Sequence, residues 1–447
     1  MQLRDYQRRL VDEILRRKNV CLSVGMGLGK TISVLTAIDY IMNVHDYQSL
    51  RVLIVAPKRV AETVWLQEAE QWELWKLRAC MALVAGTKEK KLKMASDDYV
   101  AQIKVVSRDN IALFAGRHFD IVVIDELTSF KSWTSQRSKI MRGITATKKI
   151  GLTGTFAPNG IIDIYPQLSA IGIAGEDYYG WRGRWFEDVM RGSGQSFQKW
   201  QLRKGVTPDD VLSEFAADII TLSTDDYIGL PPVVEVPQLI GLGKEERKAY
   251  DDLVTTLHFE LPDDDDFTTT DKAVFAKIQT LTSGFVYDDD GNVIRLEHGG
   301  SKIRAAVDKC CECRDNGEHV LLLYHFRESA IWFHELATAE GLRVCSTSAN
   351  GWLDKWNSGD IDVLVANPQS SGHGLNLQRG GHVAVWMELT YDYELFAQAN
   401  ARLRRPGQTE QVVAYYMMSK DTCDVNILRS LARKKKDNDL VEILTKI

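Results

Sequence analysis

Three groups of residues in this chain have the types and spacing needed to handle a phosphate chain. The first is Met26-Gly27-Leu28-Gly29-Lys30-Thr31. Its two glycines let the backbone turn tightly and aim N–H groups at an anion, and a helix starting just after them adds its positive end. Lys30 can then reach the β- and γ-phosphates, and the Thr31 hydroxyl can ligate Mg²⁺. The eight-residue phosphate-loop pattern is missed by one place, because Val24 stands where its first glycine belongs and Gly25 follows. The second group is Asp125-Glu126, closing the apolar run Ile121-Val122-Val123-Ile124. One carboxylate there can hold Mg²⁺ through water while its neighbour polarises an attacking water. With charge neutralisation and positioning, phosphoryl transfer needs little else.

The third group is Gln398, Arg402 and Arg405 within Gln398-Ala399-Asn400-Ala401-Arg402-Leu403-Arg404-Arg405. Residues 393–404 read as a helix ended by Pro406-Gly407, so these three share one face at i, i+4 and i+7. Two guanidiniums on one face suit a phosphate, being planar, always charged and bidentate. A solvated basic helix, or one gripping nucleic-acid phosphate, fits the same residues. Leu152-Thr153-Gly154-Thr155 follows a strand and sets small hydroxyls where they can sense a γ-phosphate. Ser370-Ser371-Gly372-His373-Gly374-Leu375-Asn376-Leu377 reads as a loop with free donors, able to contact a nucleic-acid backbone or the nucleotide.

The elements that must carry these groups are short apolar strands alternating with helices. Residues 20–24, 52–56, 105–106, 121–124 and 149–152 are β-branched runs of the kind buried on both faces of a parallel sheet. Helices fill 31–41 and 60–74 between them. Residues 320–324, 344–345, 363–365 and 383–386 repeat the pattern in the second half, separated by helices such as 328–340. This is α/β architecture, two parallel sheets with helices on both faces. An aromatic, Gly-rich helical insertion near 175–205 and the Gly229-Leu230-Pro231-Pro232 break separate the halves, giving an N-terminal domain 1–228 and a C-terminal domain 229–447. A helical and acidic-loop segment near 244–300 opens the second.

At 447 residues the chain exceeds one compact core. A net charge of −6 argues against a wholly basic surface but leaves local basic patches open. Asp263-Asp264-Asp265-Asp266 and Asp288-Asp289-Asp290 read as solvated loops, with metal binding the alternative. Seven cysteines form no regular framework, which points to a reducing, cytoplasmic setting. Cys310-Cys311-Glu312-Cys313 lacks a second pair to complete four ligands and reads as helix. No apolar run is long enough for a membrane span, and no signal segment opens the chain.

Taken together, these motifs make the chain resemble the superfamily 2 helicases, and within them the Snf2-like DNA translocases, over nearly its whole length. Leu3-Arg4-Asp5-Tyr6-Gln7 looks like the adenine-reading Q motif, with Gln7 as the contact and Arg4 beside it. The Gly27–Thr31 run matches motif I, Ala56-Pro57-Lys58 motif Ia, Asp125-Glu126 motif II and Leu152-Thr153-Gly154-Thr155 motif III. Residues 371–377 match motif V and 398–405 motif VI. Gly374-Leu375-Asn376-Leu377-Gln378 with Gln398-Ala399-Asn400-Ala401-Arg402 looks most like the compact Snf2-type proteins of bacteriophages. Three departures stand out: motif II reads Asp-Glu-Leu-Thr instead of the usual Asp-Glu-Ala-His, Phe156 replaces a proline after motif III, and Gly25 replaces an acidic residue.

The resemblance implies two RecA-like lobes with ATP and Mg²⁺ in the cleft between them. Gln7, Arg4, Gly27, Leu28, Gly29, Lys30 and Thr31 would bind ATP, and Thr31 and Asp125 would hold Mg²⁺. Lys30, Asp125, Glu126, Gln398, Arg402 and Arg405 would carry hydrolysis; Thr153, Gly154 and Thr155 would couple it to movement. Lys58, Ser107, His325, Phe326, Ser370, Ser371 and Asn376 would grip DNA, whether duplex, single-stranded or branched. The expected protein is a monomeric, bare motor of phage DNA replication, recombination or repair. A tracking motor that displaces a bound protein, or a DNA-binding scaffold with a relic ATP site, are the other readings.

Overall fold

The computed structural model describes residues 2–45, 50–189, 200–223, 229, 231–256, 269–288, 290–371 and 376–445. The chain divides into two compact units, one built on 1–189 and 199–227, the other on 228–435. The stretch from Lys436 onward groups with the first unit, which the single boundary expected from sequence did not provide for.

In the first unit, strands β1 (Asn19–Val24), β2 (Val52–Ala56), β3 (Met81–Val84), β4 (Ile103–Ser107), β5 (His118–Asp125), β6 (Thr145–Thr153) and a later strand (Ile219–Leu222) form one sheet. Helices α1 (Asp5–Arg16), α2 (Lys30–Val44) and α3 (Lys58–Gln71) belong to the same unit. An antiparallel pair, β7 (Phe186–Asp188) and β8 (Trp200–Leu202), precedes that later strand, β9, in the chain. The sheet order is β3-β4-β2-β5-β6-β1-β9, and every pairing is parallel. All residues of β2 and β4 are buried, as near-continuous β-branched runs require. Register fixes the chemistry: Ser23 lies opposite Thr153, and Asp125 opposite Leu152. The carboxyl ends of β5, β6 and β1, three neighbours, are therefore level.

At the opposite end of the sheet, lysines cap helices. Lys104 Nζ donates to Ala95 O (3.2 Å), Lys148 Nζ to Ile14 O (2.7 Å) and Lys149 Nζ to Ala170 O (3.2 Å), carbonyls of the last turns of three helices. A cation there meets the negative end of the helix dipole. Burial brings the Lys149 pKa down to about 8.

The second unit holds β10 (Val234–Ile240), the hairpin β11 (Phe285–Tyr287) and β12 (Val293–Arg295), then β13 (Val320–Leu323), β14 (Val344–Ser346), β15 (Val363–Ala366), β16 (Val383–Trp386) and β17 (Val413–Ser419). Its main sheet runs β10-β17-β16-β13-β15-β14, again parallel throughout. Beneath it Lys302 and Asp424 form a buried ion pair (2.9 Å), with Thr282 accepting a second bond from Lys302. Asp288 closes the β11–β12 turn through bonds from the N–H groups of Asp290 and Asn292, while Asp263–Asp266 lie outside the described residues. Cys310 and Cys313 are buried in helix Ser301–Asp315. Among the described residues no helix is long and apolar enough to cross a membrane.

Candidate functional site

The turn after β1 takes its shape from two left-handed glycines, Gly27 (φ 79°) and Gly29 (φ 78°), with Gly29 at the N-cap of α2. Lys30 opens the helix, and its Nζ donates to Val24 O at 2.6 Å. Gly29 has a second reason to be glycine: a Cβ there would stand 2.2 Å from Gln7 Nε2. Gln7 is buried against the loop, donating to Leu28 O (3.3 Å) and accepting from the Arg4 N–H (2.9 Å), while the Arg4 side chain is exposed. The Q-motif helix and the phosphate loop are thus one interlocked piece.

Register brings the Thr153-Gly154-Thr155 turn beside the first group. A Cβ on Gly154 would lie 3.6 Å from Lys30 Nζ and 3.4 Å from the Met26 side chain, so the Thr153-Gly154-Thr155 turn sits against the loop. Thr153 Oγ1 accepts from Thr155 N–H (3.1 Å) and donates to Thr155 O, closing the turn on itself. Thr155 Oγ1 is buried without a hydrogen-bond partner among the described residues. Phe156, where the family has proline, is core, and its carbonyl accepts from Gln167 Nε2 (2.8 Å). The next residue, Ala157, exchanges two bonds with the Asn438 carboxamide (2.9 and 2.8 Å).

Asp125 is buried at the end of β5. Trp65 Nε1 donates to its Oδ2 (3.0 Å) and the Glu126 N–H to its Oδ1 (3.1 Å). Burial pushes its carboxyl above the usual range, opposed by the Lys30 charge and by these bonds. Glu126 adopts φ 55°, a left-handed conformation costly for a residue with a side chain, and opens the short 3₁₀ turn Leu127–Phe130. In that turn Ser129 Oγ accepts from Arg108 Nη1 (2.5 Å), tying it to the segment after Ser107.

The donor set suits magnesium. Asp125 and Thr31 offer hard oxygens, and a buried carboxylate with a raised pKa gains from a nearby cation. Space beside Lys30, kept by the absence of a side chain at Gly154, suits a terminal phosphate.

In the second unit the expected single helix face is corrected. The helix is Tyr393–Asn400; Arg402 and Arg405 lie in the turns beyond it, leaving only Gln398 helical. Asn400 turns its carboxamide to Trp386 Nε1 (2.9 Å) and Tyr416 OH (3.4 Å). Gln408 Nε2 bonds Leu403 O, Gln378 O and Gly381 O, drawing the next residues into a knot of turns. Arg402 and Gln398 are buried; Gln398 Nε2 donates to Glu394 (3.3 Å), and its Oε1 has no hydrogen-bond partner among the described residues. Arg405 Nη1 donates to Asn376 Oδ1 at 2.5 Å, joining two sequence-predicted residues.

Among the residues expected to grip DNA, Lys58, His325 and Asn376 are exposed. Ser107 is buried, its hydroxyl accepting from the Asp109 N–H (3.3 Å) at a 3₁₀ N-cap. The His325 N–H donates to the buried Glu388 (3.0 Å), which also accepts from Ser283 Oγ (2.8 Å), and Phe326 packs edge-on to the His325 ring. Ser370 and Ser371 end the short helix Pro368–Ser371; their side chains, like residues 372–375, lie outside the description. Sequence reasoning missed Trp65, Glu388 and Asn438. Trp65 was legible only as an apolar helix position, since its indole N–H meets Asp125 only when α3 packs onto the sheet.

Comparison with known proteins gives these likenesses. A family described as "SNF2-related domain" matches residues 6–289. Protein p41 of Acyrthosiphon pisum secondary endosymbiont phage 1 is 26% identical over 98% of this chain and 97% of its own. The mouse SWI/SNF-related matrix-associated actin-dependent regulator of chromatin subfamily A member 1 is 21% identical, covering 98% of this chain but 43% of its own. An ATP-dependent helicase of Mycoplasma genitalium is 23% identical over 92% and 39%. The chain thus spans about two fifths of the length of the mouse and mycoplasma relatives. Among solved structures, a Sulfolobus solfataricus SWI2/SNF2 ATPase core in complex with dsDNA aligns with TM-score 0.42 at 16% identity, covering 100% and 94% of the two chains.

Proposed function

The chain belongs to the SNF2-related family, and from that premise we propose that it is an ATP-driven motor on DNA. One observation carries this reading: Lys30, Gly154 and the Asp125-Glu126 pair converge at the level carboxyl ends of three adjacent strands. The loop N–H groups and Lys30 bind the β- and γ-phosphates of ATP, and Gln7 reads its adenine from the interlocked helix. Thr31 and Asp125 would hold magnesium, which would supply charge neutralisation at the phosphates. Glu126 orients the attacking water and takes up its proton. Trp65 keeps the Asp125 carboxylate aimed. Arg402 and Arg405 offer the guanidinium charge that leaving phosphates call for.

Loss of the γ-phosphate is felt at Thr155, whose turn lies against Lys30, and at the Glu126 turn, whose Ser129–Arg108 bond leads to Ser107. Those are the routes by which hydrolysis moves a grip on DNA. Contacts through Lys58, His325 and Asn376 fall on phosphates and are largely independent of sequence. The test is ATP hydrolysis with and without duplex, single-stranded and forked DNA, beside a strand-displacement assay. DNA is expected to stimulate wild type severalfold or more, and Lys30→Ala to hydrolyse nothing. A wild type that never hydrolyses ATP overturns the reading, and one stimulated equally by RNA overturns its DNA assignment.

A further inference from the structure

The insertion between the first unit's last two sheet strands has a composition unlike the rest of the chain. From residue 178 to 205 the sequence carries six Lys or Arg against two Asp or Glu, and seven aromatics, in a protein whose net charge is −6. Aromatic rings interleaved with cations are what unpaired nucleic acid asks of a protein.

The described residues arrange this composition into a column. Its base is fixed: Trp181 is buried, donating to Glu214 (3.1 Å), and Tyr178 stacks on Trp133 with centroids 5.1 Å apart and planes 20° from parallel. The Arg142 guanidinium covers the Trp133 ring at 3.7 Å. At the outer end Arg182 lies 3.8 Å over Trp200 of β8 and within 5.4 Å of both Tyr178 and Tyr179. Neighbouring arginines are neutralised, Arg142 by Glu176 and Arg184 by Glu214, but among the described residues Arg182 pairs with no carboxylate. Tyr179 is 57% exposed, and Arg203 and Lys204 lie exposed just beyond β8.

A guanidinium clamped on a tryptophan face is rigid, keeps its charge and has N–H donors to spare. Beside it stands an exposed tyrosine ring with a stacking face. A base pair inside a duplex has no free face to offer such a ring; an unpaired base does. We propose that this surface binds unpaired nucleotides, stacking a base on Tyr179 and the Arg182–Trp200 sandwich while Arg203 and Lys204 hold the flanking phosphates. The motor would then carry its own sensor for gapped, forked or branched DNA, separate from the duplex grip of its motifs. This inference rests on the reading that the chain acts on DNA.

The test is fluorescence anisotropy with a labelled oligothymidylate, a forked duplex and a blunt duplex, using the full chain without ATP. Tyr179→Ala, and separately Arg182→Lys, which keeps charge but loses the planar stack, are expected to weaken oligothymidylate and forked-DNA binding roughly five- to hundredfold. Blunt-duplex binding and duplex-stimulated ATP hydrolysis stay within twofold. Lys204→Ala, exposed and outside the packed column, serves as the control against unfolding; it should weaken the same two ligands and flatten their salt dependence. If all three variants bind every ligand as wild type does while duplex still stimulates hydrolysis, this inference is overturned and the motor reading stands. If the variants instead lose capture of an acidic peptide and keep oligothymidylate, the surface is a protein dock and the inference also fails. If wild type binds none of the three DNAs, the motor reading itself falls.

Discussion

Trp65→Phe is the sharpest probe of the hydrolytic site, because it removes one hydrogen bond and keeps an aromatic ring in the core. The indole N–H is one of two N–H groups bonded to Asp125, whose carboxyl is already pushed up by burial. A hydrogen bond to a buried charged group is worth about 1.5–3 kcal/mol. At 1.36 kcal/mol per pKa unit, losing it raises the Asp125 pKa by about one to two units more. On the proposed reading only the ionised carboxylate would hold magnesium, so protons and Mg²⁺ would compete for it. The expected result is an acid limb of ATP hydrolysis displaced about one to two units upward, with the displacement shrinking as Mg²⁺ is raised. The assay is steady-state hydrolysis at saturating ATP from pH 5.5 to 8.5 at several Mg²⁺ concentrations, with circular dichroism to confirm the fold. Acid limbs that superimpose at low Mg²⁺ would refute the idea that Trp65 holds Asp125 in its working ionisation state.

Gly29→Ala forces a methyl within 2.2 Å of Gln7 Nε2 and a left-handed alanine, together costing about 1–2 kcal/mol, so ATP affinity should fall at least about fivefold. Adding Gln7→Ala should recover part of that loss, and strictly additive titrations would contradict the interlock. Lys149→Met tests the buried lysine: its pKa falls to about 8 on folding, so the unfolded state binds more protons between about pH 8 and 10.5. Relative to Lys149→Met, wild type should therefore gain about 3 kcal/mol of stability as pH rises through that window, at 1.36 kcal/mol per pKa unit; a urea-midpoint gap equal at pH 7 and 9.5 would sink this. Asp424→Ala strands the Lys302 ammonium with 0% exposure and should cost about 3–5 kcal/mol in the second unit's unfolding transition. Lys302→Met/Asp424→Leu should restore most of it, and a double variant no better than the single would show the pair to be a minor contributor.

The strands that read clearly in the sequence are those buried on both faces, such as β2, β5 and β16, because an unbroken β-branched run has few other fates. Among the strands of the two large sheets, β3, β9, β10 and β17 were missed; β17 is long, but its Tyr- and Met-rich run carries one β-branched residue. Two are only four residues long, and β10 is a half-exposed edge strand with Pro237 inside it. The phosphate loop and the Asp125-Glu126 pair were legible because each is local, a strand end followed by a turn. Residues 401–405 were not, because what ends the helix at Asn400 is distant: Trp386 and Tyr416 on other strands, and Gln408 several residues on. Trp65 and Asn438 escaped for a related reason, since a helix side chain's partner on a distant segment leaves no trace in its own neighbourhood.

The bond from Lys30 to Val24 O has a bearing on turnover. An ammonium that lost its phosphate partner while half enclosed would resist the departure of product, slowing every cycle at its last step. Here a carbonyl one turn away stands ready to receive it at 2.6 Å. On the proposed reading spent nucleotide would leave without stranding a charge, and the incoming one would have only to outcompete a neutral oxygen. The turn is thus sprung for exchange as much as for capture.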